Sequence, residues 1–444
     1  MNTSRLIFIT SDPLNPVIIK LISAISQKLT VVVLSDVPLD SGYPVEKHYF
    51  SYKYGRVSKF FGLFYSPSQA RQEKQFPKRN MYRRGRYIIN FLFYCKKVFE
   101  LFVKLPTYSQ IYRYLYRNKE IQFPITFQAS DICITDSNLR HVYYLIPAVI
   151  HASIHCKHLI ALVYSWDNTH YSTLMSFADS YLVWNQRNKE ELVNWYGISE
   201  EKIFLTGSLI HDYLIEHNIT KVVAPRIRDN GGGDCKLIYA AVVSPNDSLM
   251  ARHEVRFILA FGREMYRRNP KFKLLFRAYP SRGQIDILLP LRKEPWIELY
   301  EHKNFVSIPR LGNKNEEISF SVDASEKIMQ FYMADALLST GSTYTLEFAF
   351  TGLPIIHLDA RKFQTDECNQ DFFDRLALYG HLDILSDDDY AKNLPTTIDQ
   401  IYTCISNLKD LRLSGYSDYL FSLASVSREE LAKDKVMSQI LKCI

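Results

Sequence analysis

Residues 334–354 read ADALLSTGSTYTLEFAFTGLP. Ala336, Leu337 and Leu338 form a short apolar run typical of a buried strand, and Ser339 to Thr343 make a small-residue turn. Thr343 then opens a helix that carries the carboxylate of Glu347. A Thr-Gly-Ser turn at a helix start presents backbone N–H groups and the positive end of the helix dipole, which suits a phosphate or diphosphate. Glu347 stands four residues after Thr343, on the same helical face, where it would accept hydrogen bonds from a ribose diol. Gly341, Ser342, Thr343 and Glu347 are therefore candidates for half of a nucleotide-diphosphate site. The competing reading is an ordinary strand-turn-helix unit capped by Ser342.

On both sides of this stretch, apolar runs alternate with amphipathic ones. Strands are expected at Leu6–Thr10, Thr30–Leu34, Ile132–Thr135, Leu159–Val163, Ser180–Trp184 and Ile203–Thr206. Helices are expected at Pro16–Leu29, Tyr143–Ser153 and Lys189–Tyr196. Residues 222–234, with Pro225 and Gly231 to Gly233, break the pattern and read as a linker. The pattern then restarts. Strands are expected at Lys236–Val243, Leu274–Arg277, Asn304–Ser307, Ala336–Leu338 and Pro354–Leu358, with helices at His253–Arg267, Glu326–Met333 and Thr343–Thr351. Such alternation implies parallel sheets covered on both faces. The expected architecture is α/β, with two doubly wound Rossmann-like domains facing an interdomain cleft. Residues 1–220 form the first, 221–235 the linker and 236–444 the second.

Bulk properties fit that picture. A chain of 444 residues is too long for one ordinary core. Its 47% hydrophobic and 23% charged content is that of a globular protein. The early apolar run is too short for a signal peptide, and no run reaches the roughly 18 residues of a membrane span. The seven cysteines show no metal-binding spacing, so a reduced, cytoplasmic protein without structural zinc is expected.

The net charge of +7 is concentrated. Between about residues 52 and 118 lies a basic segment interleaved with aromatics, including Arg83, Arg84, Arg86, Tyr82, Tyr87 and Phe91. Such a segment suits contact with anionic lipid headgroups, or it is a solvated insertion packed on its own domain. No motif supports nucleic-acid binding.

Three strand-end loops carry polar chemistry. After Val163 come Tyr164, Ser165, Trp166, Asp167, Asn168, Thr169 and His170. Asp167 is the first candidate for a general base, with Trp166, Asn168 and His170 as candidate substrate contacts. Packing and helix capping are the alternative roles for Trp166 and Asp167. Arg277, ending an apolar strand, is a candidate diphosphate clamp, its alternative a surface ion pair. Ser244 follows the first strand of the second half and is a weaker phosphate candidate. Asp12 and Asp136 end strands of the first half and stand behind Asp167 as candidate bases, with capping as their alternative. No Asp-x-Asp pair sits at a strand end where it would hold Mg²⁺ on a sugar nucleotide.

The order of these motifs resembles glycosyltransferases of the GT-B architecture, of a bacterial surface-polysaccharide (capsule or O-antigen) group with a Ser-Trp-Asp-Asn motif. The matching pieces are Ser165 to Asn168, Val183 to Asn185, Thr206-Gly207, Tyr239 to Ser244, Arg277 with Pro280, Thr340 to Glu347, Gly352 to Pro354 and Phe363 to Thr365. They cover about half the chain. The resemblance implies a nucleotide-sugar donor on the second domain, with no other cofactor, and a polysaccharide or lipid-linked acceptor on the first. The expected activity is that of a glycosyltransferase, metal-independent because no Asp-x-Asp pair stands at a strand end, with the basic aromatic segment as the feature that would place a cytoplasmic protein on the membrane's inner face. The chain departs from the group at two places. It reads Thr169-His170-Tyr171-Ser172 where a Thr and a Lys-Gly pair are common, and Arg277-Ala278-Tyr279-Pro280 where Arg-Pro-His-Pro is common. Tyr279 or His170 then takes over the missing histidine's phosphate contact, or the donor differs. A CDP-polyol phosphotransferase, a sugar-nucleotide epimerase and a peripheral membrane scaffold remain open alternatives.

Overall fold

The computed structural model describes residues 5–10, 13–39, 44–50, 121–136, 145–167, 169, 178–223, 235–244, 247–280, 285–302, 306–308, 316–318, 324–377, 379–386, 388–391, 394–413 and 415–444. The basic aromatic segment at 52–118 and the glycine-rich part of the expected linker, 224–234, lie outside them, as do Asp12, Asn168 and His170. The chain divides into two compact units. The described residues of the first come from Met1–Asp212 and Ser425–Ile444, and those of the second from Tyr213–Ile308 and Asn315–Ala424.

The first unit holds a seven-stranded sheet. Its strands are β1 (Arg5–Thr10), β2 (Thr30–Ser35), β3 (Glu46–Tyr49), β4 (Ile132–Asp136), β5 (His158–Leu162), β6 (Ser180–Val183) and β7 (Ile203–Leu205). They lie in the order 3-2-1-4-5-6-7, with every pairing parallel. Strand residues alternate between faces. Ile7, Ile9, Cys133 and Ala161 share a core with α2 (Ile146–His155) and α3 (Gln186–Tyr196). Leu6, Phe8, Val31, Val33, Ile132 and Ile134 pack with Ile18, Leu21, Ile22 and Ile25 of α1 (Pro16–Ser26). Burial on both faces is why the central strands read as unbroken apolar runs.

Helix starts follow from their caps. The Asn15 Oδ1 accepts from the Val17 N–H at 3.0 Å, with Pro16 at the first helical position. The Asn185 Oδ1 accepts from the Asn188 N–H at 2.8 Å, so α3 begins three residues before the expected Lys189. That helix ends where Gly197 turns left-handed at φ +67°.

The second unit repeats the scheme with five parallel strands. These are β8 (Lys236–Ala240), β9 (Lys273–Arg277), β10 (Ile297–Tyr300), β13 (Ala336–Ser339) and β14 (Ile355–His357), in the order 10-9-8-13-14. A separate antiparallel ribbon pairs β11 (Val306–Ile308) with β12 (Glu316–Ile318), where a sheet strand at Asn304–Ser307 is expected from sequence. Helix α4 (Ser248–Arg268) starts five residues before the expected His253, because the Asp247 Oδ1 caps it by accepting from the Met250 N–H at 3.2 Å. The other helices used below are α5 (Ala324–Met333), α6 (Thr343–Ala349), α7 (Glu367–Leu376) and α8 (Tyr416–Ala424). Phe257 and Phe261 of α4 pack with Phe372 and Phe373 of α7 over Leu274, Phe276 and Leu338.

The last helix, α9 (Ala432–Lys442), belongs to the first unit. The Asp212 carboxylate accepts from the Ala432 and Lys433 N–H groups at 2.7 and 2.9 Å, capping it. Its Val436, Met437 and Ile440 join the core that β1 shares with α1. Both units are thus doubly wound parallel sheets. Their strand order reverses between β1 and β4 and between β8 and β13. Ligands of such sheets bind beyond the carboxyl ends of the strands at these reversals.

Candidate active site

The second unit ends one of its central strands in a buried charge. Arg277 is the last residue of β9 and is only 4% exposed. Its guanidinium carbon lies 4.8 Å from the Tyr300 ring centroid and 5.3 Å from that of Tyr344. Its Nη1 donates to the Gln330 Oε1 at 2.7 Å. Among the described residues no carboxylate forms an ion pair with it, although a buried arginine ordinarily has one.

Glu347, on α6, is buried and accepts from the Lys327 Nζ at both oxygens, 2.7 Å each. The Tyr213 hydroxyl donates to its Oε2 at 3.4 Å. Burial lowers the Lys327 pKa and the Glu347 charge opposes that effect. Burial raises the Tyr213 hydroxyl well above its usual range, and the Glu347 charge adds to it. Tyr300 is pushed up to about 12, first by burial and then by its hydrogen bond to Glu326. His302 falls to about 4, because burial and then the Arg277 charge oppose protonation. It is therefore neutral near pH 7, and its Nε2–H donates to the Ala278 carbonyl at 3.1 Å. The partly exposed Lys327 is paired with Glu347, so the buried Arg277 is the cation of this cluster without an ion-pair partner among the described residues.

The turn after β13 is tied together internally. The Gly341 N–H donates to the Ser339 Oγ at 3.1 Å and the Ser342 N–H to the Thr345 Oγ1 at 3.2 Å. The Ser339 and Thr345 hydroxyls lie 2.7 Å apart. Gly341 sits at φ +101°, a conformation only glycine adopts without strain. Ser342 and Thr343 remain partly exposed at the start of α6.

Across the strand reversal, Glu254 of α4 joins both flanking loops. Its Oε1 accepts from the Val242 N–H at 2.9 Å and its Oε2 from the Val243 N–H at 3.3 Å, which shapes the loop that continues to Ser244. The Tyr239 hydroxyl donates to its Oε1 at 2.7 Å and lies 3.1 Å from the Thr340 Oγ1. Burial pushes the Glu254 carboxyl up to about 7 despite these donors. Sequence reasoning singles out Arg277, Ser244, Gly341, Ser342, Thr343 and Glu347. It misses Lys327, Gln330, Tyr213, Tyr300, His302 and Glu254. The one pattern that points to two of these is the i,i+3 spacing of Lys327 and Gln330 on α5.

In the first unit, Asp167 follows β5 and its Oδ1 accepts from the Ser165 Oγ at 2.5 Å. The loop around it rests on α3. The Asn188 Nδ2 donates to the Trp166 carbonyl at 3.0 Å, the Tyr196 hydroxyl to the Thr169 carbonyl at 2.8 Å, and the Thr169 hydroxyl to the Glu191 Oε2 at 2.5 Å. Trp166 is 4% exposed, so its ring offers little face to a sugar. Asp136 is buried at the end of β4 and accepts a short hydrogen bond from the Thr10 hydroxyl. Among the described residues no group of three or more His, Cys, Asp or Glu gathers to hold a metal, and no helix is long and apolar enough to cross a membrane.

No protein-family model and no curated protein matches the chain. Solved structures with a similar chain trace include S. aureus MnaA in a co-structure with UDP, at 12% identity and TM-score 0.48, covering 99% of this chain and 98% of that one. UDP-GlcNAc 2-epimerase from Neisseria meningitidis bound to UDP-GlcNAc follows at 11% identity and TM-score 0.47, covering 99% and 100%. The wall teichoic acid polymerase TagF is similar at 10% identity and TM-score 0.41, covering 99% and 89%.

Proposed function

We propose that the chain is a glycosyltransferase that takes a sugar from a nucleotide-sugar donor. The observation that carries this reading is Arg277, a buried strand-end cation with no carboxylate partner among the described residues. It stands at the end of a doubly wound sheet where ligands of such sheets bind, and a diphosphate is the anion that would complete it. Glu347 holds the ribose. Each of its oxygens has two acceptor sites, so the contact with Lys327 leaves capacity for a hydroxyl. Ser244, Ser342 and Thr343 contribute further polar contacts to the donor.

The reaction is a displacement at the anomeric carbon. The acceptor hydroxyl oxygen bonds to that carbon, the bond from the carbon to the diphosphate oxygen breaks, and the hydroxyl proton passes to the Asp167 carboxylate. The leaving diphosphate gains negative charge, which Arg277 meets without reorganising. No metal is assigned a step. The acceptor is a growing surface polysaccharide or a lipid-linked sugar. The basic aromatic segment at 52–118 would bring the protein to the inner membrane face where such acceptors lie.

The test supplies labelled nucleotide sugars and CDP-linked polyols to the purified chain with a lipid-linked oligosaccharide. Incorporation of label from a nucleotide sugar is the expected result, abolished in Asp167→Asn while donor binding persists. Transfer of a polyol phosphate, or isomerisation of the donor without transfer, overturns the assignment.

A further inference from the structure

Two thiols of the first unit lie in contact. Cys133, in β4, is fully buried, whereas Cys156, directly after α2, is partly exposed. The Cys133 S–H donates to the Cys156 Sγ at 3.3 Å. The backbone holds both in place. Cys133 is paired with Leu159 in the β4–β5 ladder. The Cys156 N–H donates to the Ala152 carbonyl at 3.0 Å, and the Lys157 N–H to the Asp131 carbonyl at 2.8 Å. A disulfide bond is about 2.05 Å long, so closing this gap takes about 1.2 Å, within reach of side-chain rotation.

We propose that Cys133 and Cys156 are a redox-active pair that small disulfides oxidise to an intramolecular bridge. The chemistry balances as two exchanges. Cys156, the accessible partner, loses its proton to solvent and attacks one sulfur of oxidised glutathione. The glutathione S–S bond breaks and one glutathione thiolate leaves, so Cys156 carries a mixed disulfide. The Cys133 sulfur then attacks the Cys156 sulfur, its proton passing to the second glutathione sulfur, which leaves as a thiol. Two protein thiols are oxidised and one glutathione disulfide is reduced to two thiols.

Geometry fixes the order of attack. Cys133 has no solvent-facing surface, so a bulky disulfide reaches only Cys156. The hydrogen bond to Cys156 and then burial raise the Cys133 thiol well above its usual range, which makes it a slow nucleophile toward anything from solution. Its own step is intramolecular, with the target sulfur already in contact, and proximity compensates for that slowness.

The experiment incubates the folded, full-length chain with oxidised glutathione and maps its peptides by mass spectrometry. The expected product is a Cys133–Cys156 linked peptide that disappears on reduction. Cys133→Ser should instead trap one glutathionyl group on Cys156, and Cys156→Ser should leave Cys133 unmodified. Circular dichroism confirms the fold of each variant, and the wild-type result stands without them. Both thiols remaining free, or each becoming glutathionylated with no link between them, overturns the proposal.

Discussion

The Lys327 ammonium sits 2.7 Å from each carboxylate oxygen of Glu347, and the two side chains are only 15% and 7% exposed. A pair this shielded is expensive to break, because the surviving carboxylate has little water and keeps only the long hydrogen bond from the Tyr213 hydroxyl. Lys327→Met should lower the unfolding free energy by about 3 kcal/mol. The double variant Lys327→Met/Glu347→Leu should recover most of that loss. Urea titration of the three proteins checks both statements. A single variant as stable as wild type would show that the carboxylate is solvated.

Arg277 should decide nucleotide binding. A thermal-shift series with nucleoside diphosphates should show at least one that raises the melting temperature, and Arg277→Ala should remove that response. Arg277→Lys keeps the charge but loses the planar fork and its packing between two tyrosine rings. It should bind roughly tenfold more weakly, the loss expected for one charge-assisted hydrogen bond. Full retention of the response in the alanine variant would take the diphosphate away from this residue.

Glu254 should make stability depend on pH. Its folded-state value of about 7 stands above the ordinary 4.5, so between these values the folded chain binds a proton that the unfolded chain does not. Stability from this group is complete below about pH 4.5 and declines as pH rises through about 7, by about 3 kcal/mol in total. Glu254→Gln should flatten that part of the profile. Unfolding free energies at pH 5 and pH 7.5 for both proteins measure the difference, and parallel profiles would contradict the assignment.

Gly262, in the second half of α4, should not tolerate a methyl group. A Cβ there would lie 2.1 Å from the ring of Trp296, which is 1% exposed and whose Nε1–H donates to the Glu294 Oε2 at 2.9 Å. Alanine favours a helix by about 1 kcal/mol over glycine. Overpacking against a fixed indole costs about 1–3 kcal/mol. Gly262→Ala should therefore destabilise on balance, and less so in a Trp296→Phe background. Calorimetry on the four proteins resolves the coupling.

Much of the architecture is legible in the chain because the central strands are covered on both faces. Leu6 to Ile9 and Val31 to Leu34 have no polar residue to betray a solvent side. Strand β3 escapes notice for the opposite reason. Its Glu-Lys-His-Tyr sequence, at a sheet edge, is polar on both faces, and only pairing with β2 makes it a strand. Helix starts shift where a cap lies upstream of the apolar period, as Asp247 does for α4. Within the candidate site, Arg277 and Glu347 stand out because one ends a recognisable strand and the other follows one. Lys327 and Gln330 do not, since α5 reads as an ordinary amphipathic helix until β9 and α6 supply their partners. Tyr213 lies 134 residues from Glu347, and no local pattern announces that contact.

The return of α9 to the first unit sets an order of events during synthesis. Val436, Met437 and Ile440 cover the face of the sheet that holds Leu6 and Phe8. A ribosome must make residues 213–424, which contain the whole second unit, before that cover exists. The nascent first unit therefore waits with part of its apolar surface bare, the stage at which it is most prone to aggregate and most in need of a chaperone.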